Sequence, residues 1–273
     1  MKVKIITICL LFATIFFSCK KEEIGNVGKT GSNGIPLLSK IMVDNQSTYE
    51  YLYNNSDLVS EEKSKFYFIM YDYNEKGQLA TSEYFGNDNV LSSDPQVSQT
   101  AINSTAWVTS LSGVNGGSMT YEYNGQGQLD KATYSSPQST NNEYSEFSYD
   151  ANNRIGRQTM YWNDIATGYI DYTYDGKGNL TQEILYNLPS AGVTELITTT
   201  QYDFDSEQNP YKSSSRCMIP GINTNLNNII KETYTIHLSP DLGSDNVQVT
   251  ETTYEYNAMG YPVSKNGNVS FVY

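Results

Sequence analysis

Aromatic and polar positions alternate along most of this chain, and one phrase punctuates the alternation at intervals. It reads Tyr71-Asp72-Tyr73-Asn74-Glu75-Lys76-Gly77-Gln78-Leu79, then Tyr121-Glu122-Tyr123-Asn124-Gly125-Gln126-Gly127-Gln128-Leu129, then Tyr172-Thr173-Tyr174-Asp175-Gly176-Lys177-Gly178-Asn179-Leu180. Weaker copies run from Tyr51 to Leu58, Phe147 to Ile155, Tyr202 to Pro210 and Tyr254 to Val263. An internal repeat constrains architecture before any single residue is interpreted.

Two aromatics separated by one residue lie on the same face of an extended strand, a setting that favours large rings. The Asn or Asp that follows opens a turn, because its short side chain accepts hydrogen bonds from nearby backbone N–H groups. Glycine then stands where the chain needs a left-handed residue to rejoin the ladder. Each copy therefore predicts strand, tight turn, strand. The second aromatic of each copy is Tyr53, Tyr73, Tyr123, Tyr149, Tyr174, Phe204 or Tyr256. Most steps are near 25 residues, and two near 50 imply a lost copy or a long insertion. Seven hairpins make about fourteen strands, paired mainly with their sequence neighbours. Sheets of that size curl or close. The expected fold is all-β: a large antiparallel meander of repeated hairpins curled into an open shell or incomplete barrel. A β-propeller fits less well, because its blades need four strands and a more regular period.

Of the 273 residues, 24 are tyrosine, which fills a shallow core with ring area while its hydroxyl bonds at the edge. The first 18 residues have a different character. Lys2 and Lys4 precede an apolar run from Ile5 to Phe17, the layout of a signal peptide. Ser18-Cys19 resembles the cleavage and lipidation box of bacterial lipoproteins, which implies a lipid anchor on Cys19 in the outer membrane. Lys21-Glu22-Glu23 resembles the Lys-acidic-acidic signal that sends Bacteroidetes lipoproteins to the outer face of that membrane. The expected division is 1–18 signal peptide, 19–35 lipidated flexible tether and 36–273 one repeat domain. Cys217 is the one cysteine left over, so no internal disulfide is expected. The formal charge of −13 argues against nucleic acid or anionic lipid surfaces as partners, which reward Lys and Arg.

Candidate chemistry is sparse. Gly25 to Thr30 has the look of a phosphate loop but Glu23 stands where the first glycine is required, and no strand precedes it. Asp203, Asp205 and Glu207 alternate as in a calcium loop, yet Gln208 and Ser214 occupy the positions that need Gly and Glu, so a turn is the better reading. His237, the sole histidine, has no nucleophile or orienting acid near it in sequence. Paired carboxylates could support glycoside hydrolysis without histidine, but sequence spacing selects no pair. No catalytic residue, metal or cofactor is expected. Trp107 and Tyr161-Trp162, followed by Asn163-Asp164, are the candidate ligand contacts, since exposed aromatics on loops serve binding.

The Tyr-x-Tyr-Asp-x-x-Gly-x-Leu phrase resembles the YD repeats of RHS-type proteins. With the lipoprotein signal, the chain resembles a group of Bacteroidetes surface lipoproteins of unknown function with a porin-like antiparallel β-meander. That resemblance implies a fold and an address and brings no catalytic residue. The expected function is a non-enzymatic surface lipoprotein that binds a glycan or an envelope protein. The alternatives are a structural component of the envelope and a carboxylate-based glycoside hydrolase.

Overall fold

The computed structural model describes residues 30–86, 114–189, 193–213, 219–238 and 243–273. They form one all-β sheet of seventeen strands, with no α-helix among the described residues. The first nine strands are β1 (Lys40–Val43), β2 (Gln46–Tyr53), β3 (Val59–Ser64), β4 (Tyr67–Tyr73), β5 (Leu79–Gly86), β6 (Val114–Tyr123), β7 (Leu129–Ser135), β8 (Glu143–Tyr149) and β9 (Ile155–Trp162). The rest are β10 (Ile165–Tyr174), β11 (Leu180–Asn187), β12 (Glu195–Phe204), β13 (Ile229–Ile236), β14 (Asn246–Glu251), β15 (Tyr254–Tyr256), β16 (Pro262–Lys265) and β17 (Val269–Val272). Short 3₁₀ turns occupy Pro210–Ser213 and Ile222–Thr224.

Every strand from β2 to β14 pairs antiparallel with its sequence neighbours. β1 joins β2 to β17, and β15, β16 and β17 complete the other end. The sheet thus has two edges, β14 and β15, and only Thr252 and Thr253 lie between them in sequence. The Thr252 amide still donates to Ile230 on the β13 side, 2.8 Å, while the Asn266 amide donates to Thr253 on the β16 side, 2.9 Å. One extended segment therefore borders both ends of the sheet. The sheet must curl until its ends flank that segment, yet no ladder closes it. The result is the expected open shell, with a single seam.

Six of the seven repeat copies make the predicted turn, and the copy at Asp205 departs from it. In the copy at Asn74, the Asn74 amide donates to the Gln78 carbonyl, 2.9 Å, and the Asn74 side-chain oxygen accepts the amides of Lys76 and Gln78, both 3.0 Å. The same pattern recurs at Asn54, Asn124, Asp150 and Asn257. Gly77 and Gly127 take φ of 72° and 78° there; a side chain at such a dihedral is strained. At Asp205 the turn is split by an insertion: its carboxylate accepts the amides of Glu207 and Asn228, both 3.0 Å, although twenty residues separate those two in sequence. That insertion, together with the β13–β14 hairpin, accounts for one of the two long steps in the repeat.

Since the meander runs up and down, all these turns share one rim of the shell. Leucine at the end of each phrase packs beneath it. Leu129 and Leu180 are 0% and 1% exposed, and burial of such a side chain contributes roughly 1.5–3 kcal/mol. One apolar cluster lies under β7 to β11, around Leu129, Phe147, Ile155 and Leu180, and another under β1, β2, β3 and β17, around Leu38, Tyr51, Val59 and Phe271.

The second tyrosine of each phrase ties one repeat to the one before. Tyr73, Tyr123, Tyr149 and Tyr174 donate their hydroxyls to the carbonyls of Val59, Leu79, Leu129 and Ile155, at 2.6 to 2.9 Å. The first tyrosine obeys a second rule, set by the residue three positions after the preceding apolar one. Tyr121 meets Ser82, Tyr172 donates to Gln158, and Tyr202 donates to Glu183. Where the aromatic is Phe147, without a hydroxyl, the corresponding residue is Ala132, and both are buried in the same cluster. A polar residue there would be left unpaired, which is costly.

Candidate functional site: a cleft at the Asx rim

The residue between glycine and leucine in each phrase, or its counterpart in the weaker copy, is Gln78, Gln128, Arg154 or Asn179, and each reaches the next turn. Gln78 Nε2 donates to the Gly127 carbonyl, 2.9 Å. Gln128 Nε2 meets Asn153 Oδ1. Arg154 donates to the Asp175 carbonyl, 3.1 Å. Asn179 donates to Asn227 Oδ1, 3.0 Å, and accepts the amides of Leu226 and Asn227. The rim is thereby a continuous hydrogen-bonded band that ends on the insertion.

The insertion covers part of this rim. Tyr211 packs edge-on against Phe271, ring centroids 6.2 Å apart, and belongs to one apolar cluster, while Ile219 packs on the other. Asn225 is 1% exposed and its Oδ1 accepts the Leu180 amide, 2.7 Å. Asn209 donates to the carbonyls of Ile222 and Asn225. Buried polar groups are stabilising only when paired, and these asparagines pair mainly with one another and with backbone, although Asn225 Nδ2 finds no partner among the described residues.

Between the rim and the insertion lies a cleft of about 460 Å³. The rim contributes Gln78, Tyr123, Tyr149, Asn153, Arg154 and Tyr174, and the insertion contributes Lys212, Pro220, Asn223 and Thr224. The three tyrosines are equivalent positions of consecutive repeats, so their rings form a row with a spacing of two strand widths, about 9.5 Å. Their hydroxyls are spent on the repeat-to-repeat bonds, and their rings pack on the apolar cluster while lining the cleft. Burial raises the Tyr149 and Tyr174 phenols above their ordinary value, so both remain neutral donors. The Arg154 guanidinium stacks over Tyr174, 4.5 Å from the ring centroid, and pairs with Asp150 at 2.8 Å. Desolvation pushes the Asp150 carboxyl up, but the hydrogen bonds from Arg154 and from the Asn152 amide outweigh it and hold the group below the usual carboxylate range. Asp175 behaves alike, its desolvation outweighed by bonds from Asn179, Gly178 and Lys177.

The candidate residues read from sequence lie elsewhere. Tyr161 and Trp162 are strand neighbours and point to opposite faces. Tyr161 stacks on Tyr144 on the outer face, centroids 4.7 Å apart. Trp162 is 46% exposed at the far rim, beside the Asn163-Asp164 turn. The two therefore do not form one platform. Trp107, Cys19, Lys21, Glu22 and Glu23 lie outside the described residues, as does Cys217. Asp205 is committed to its turn and to Tyr256, Asp203 faces Lys231 at 3.9 Å, and no group of metal-binding side chains occurs among the described residues.

His237 corrects its reading from sequence. The fold brings it both an acid and a hydroxyl: Nδ1 meets Asp245 at 2.7 Å and Nε2 meets Thr199 Oγ1 at 2.8 Å. The trio pins the β13–β14 connection to β12 on the convex face, at the rim opposite the cleft. Two carboxylates, Glu62 and Glu183, are pushed up chiefly by burial, partly offset by hydrogen bonds from Tyr67 and Tyr71 to the first and from Tyr202 to the second. They stand on β3 and β11, under different parts of the sheet, so they do not make a catalytic pair.

Sequence reasoning missed Lys212, Asn223 and Thr224 because the insertion carries no motif. The rim tyrosines were legible, but as structure.

No family model matches the chain, and no curated protein matches it. Among solved structures it is similar to a porin-like protein from Bacteroides uniformis, at 13% identity and a TM-score of 0.39, over 86% of this chain and 96% of that one. It is also similar to TcdB2-TccC3-TEV and to TcdB2-TccC3 without its hypervariable C-terminal region, at 12% and 11% identity and a TM-score of 0.18 in both. Those matches cover 82% and 84% of this chain but only 15% and 16% of the larger ones.

Proposed function

We propose that this chain is a lipid-anchored envelope protein that binds a glycan in the cleft at the Asx rim. The observation that carries the reading is the row of Tyr123, Tyr149 and Tyr174 beside the amides of Gln78, Asn153 and Asn223. Ring faces stack on the apolar faces of sugars while amides bond their hydroxyls, and pockets of this kind combine apolar walls with a few placed polar groups. The repeat-to-repeat hydrogen bonds hold the rings in place before a ligand arrives, so little ordering cost is left for binding. Cys19 supplies the anchor in this reading, and residues 19–35 hold the shell away from the lipid.

The test is a glycan array probed with the full chain in detergent, beside Asn223→Trp, which fills the cleft from an exposed position, and Tyr149→Ala. Binding that both variants abolish supports the reading. Binding that survives Asn223→Trp places the site elsewhere.

A second reading, partnership with an envelope protein, rests on β14. All six of its residues are exposed, Val247 and Val249 at 58% and 52%, and it pairs on one side only. It carries no Lys or Pro to guard the edge, and such edges accept an added strand. Gln248→Pro, placed in the middle of β14, would then abolish the partner contact and leave glycan binding unchanged.

A further inference from the structure

We infer that the cleft selects anionic sugars, with Lys212 as the residue that recognises the negative group. The inference rests on the glycan-binding reading above and names the ligand class of the same site. Acidic residues outnumber basic ones by 30 to 17 in this chain, yet none of the residues lining the cleft is acidic and two of them are cations. The two cations are not equivalent. Arg154 is spent, with Nε and one terminal nitrogen on the Asp150 carboxylate and the other on the Asp175 carbonyl. Lys212 sits on the 3₁₀ turn of the insertion, exposed, and forms no ion pair with any described carboxylate.

The lysine is a compact point charge on a flexible stem, suited to a carboxylate or sulfate that rides on a sugar ring already held by the tyrosines. Arg154 and its stacked Tyr174 make a fixed planar wall opposite the insertion. The acidic remainder of the surface repels polyanions at long range, so recognition here depends on one short contact and not on a broad basic field. A charge-assisted hydrogen bond of that kind changes affinity by roughly tenfold or more.

The experiment is titration calorimetry on the full chain in detergent with three probes: a uronic-acid oligosaccharide, the same oligosaccharide after carboxyl reduction, and a sulfated oligosaccharide of equal length. The acidic probes are expected to bind about tenfold tighter than the reduced one. Lys212→Gln should erase that difference and Lys212→Arg should keep most of it. A sulfated probe that binds like the reduced one restricts the site to carboxylates. Equal binding of all three probes overturns the charge selection and leaves the glycan reading in place. Binding of none, by a protein with an intact melting transition, overturns both.

Discussion

The two rims of the shell are built by different rules. At the Asx rim, one turn recurs around the sheet, each copy closed by its own Asn or Asp and bonded to the next by Gln78, Gln128, Arg154 or Asn179. At the opposite rim, the two-residue connections are Asp44-Asn45 and Asn163-Asp164, both with positive φ, and Lys65-Phe66, without it, and the others are longer. The large apolar side chains Trp162, Ile165, Val193 and Leu196 are exposed there. A turn that satisfies its own polar groups needs nothing from its surroundings, so the Asx rim can present tyrosine faces and still be rigid. The opposite rim is bonded less regularly: Ser64 accepts the amides of Phe66 and Tyr67 in one turn, and the Asn142 amide donates to Asn163 between two neighbouring connections.

The comparison is broken most severely by Asp175→Ala. Asp175 accepts the amides of Lys177, Gly178 and Asn179 and the Asn179 side chain, all at 2.7 to 2.9 Å. Its loss should cost about 3 kcal/mol, since several donors are left without an acceptor. Asn163→Gly at the other rim keeps the positive φ and loses the bond from the Asn142 amide and a long one to the Asn141 side chain, both exposed; it should cost about 1 kcal/mol. Chemical denaturation of both variants reads the ratio. Equal losses would mean that the two rims are equally cooperative.

A smaller effect is expected from Gly127→Val, about 2 kcal/mol from the left-handed backbone and the β-branched side chain. Gly125 in the same turn has open space where a Cβ would stand and no positive φ, so Gly125→Val should stay within about 0.5 kcal/mol. Matching melting temperatures for the two would contradict the turn geometry.

The dependence on pH separates the rim from the interior. Asp150 and Asp175 have folded pKa values below the ordinary one, so their contribution is present above the unfolded value of about 3.9 and is lost as pH falls through the lower folded value. Glu62 and Glu183 have raised values; their contribution is full below the unfolded value of about 4.3 and declines as pH rises through the folded one. Acidification from neutral should first stabilise the shell and then destabilise it. A melting-temperature series should show that rise, and Glu62→Gln with Glu183→Gln together should flatten it.

The smallest contrast is Tyr149→Phe against Tyr161→Phe. Tyr149 loses its bond to Leu129 and about 1 kcal/mol, whereas Tyr161, on the outer face, should lose less than about 0.5 kcal/mol.

Much of the architecture was legible in the residues. Six of the seven phrases locate Asx turns, and the copy at Asp205 is the one that the insertion splits. The pairing of Ala132 with Phe147, against Ser82 with Tyr121 and Gln158 with Tyr172, was also present in the sequence, but its meaning needs the register that makes those residues diagonal neighbours on adjacent strands. Asn266-Gly267 and Asn163-Asp164 are ordinary hairpin signals that the stronger repeat obscured. Tyr161 and Trp162 drew attention as adjacent aromatics, yet the two-residue period of a strand separates them to opposite faces.

The sequence by itself determined the hairpins and their turns, because an Asx turn is complete within five residues and each phrase contains every donor and acceptor it needs. It also determined the alternation that gives the sheet an inner, tyrosine-rich face. Only the tertiary structure decided that both sheet edges meet at Thr252 and Thr253, that residues 209–212 and 219–225 pack over the Asx rim, and that Lys212 shares a cleft with Tyr123 and Tyr149. Those relations join residues that are distant in sequence. They follow from the twist accumulated over seventeen strands and from buried asparagine bonds such as Asn225 to Leu180, neither of which any local stretch of chain encodes.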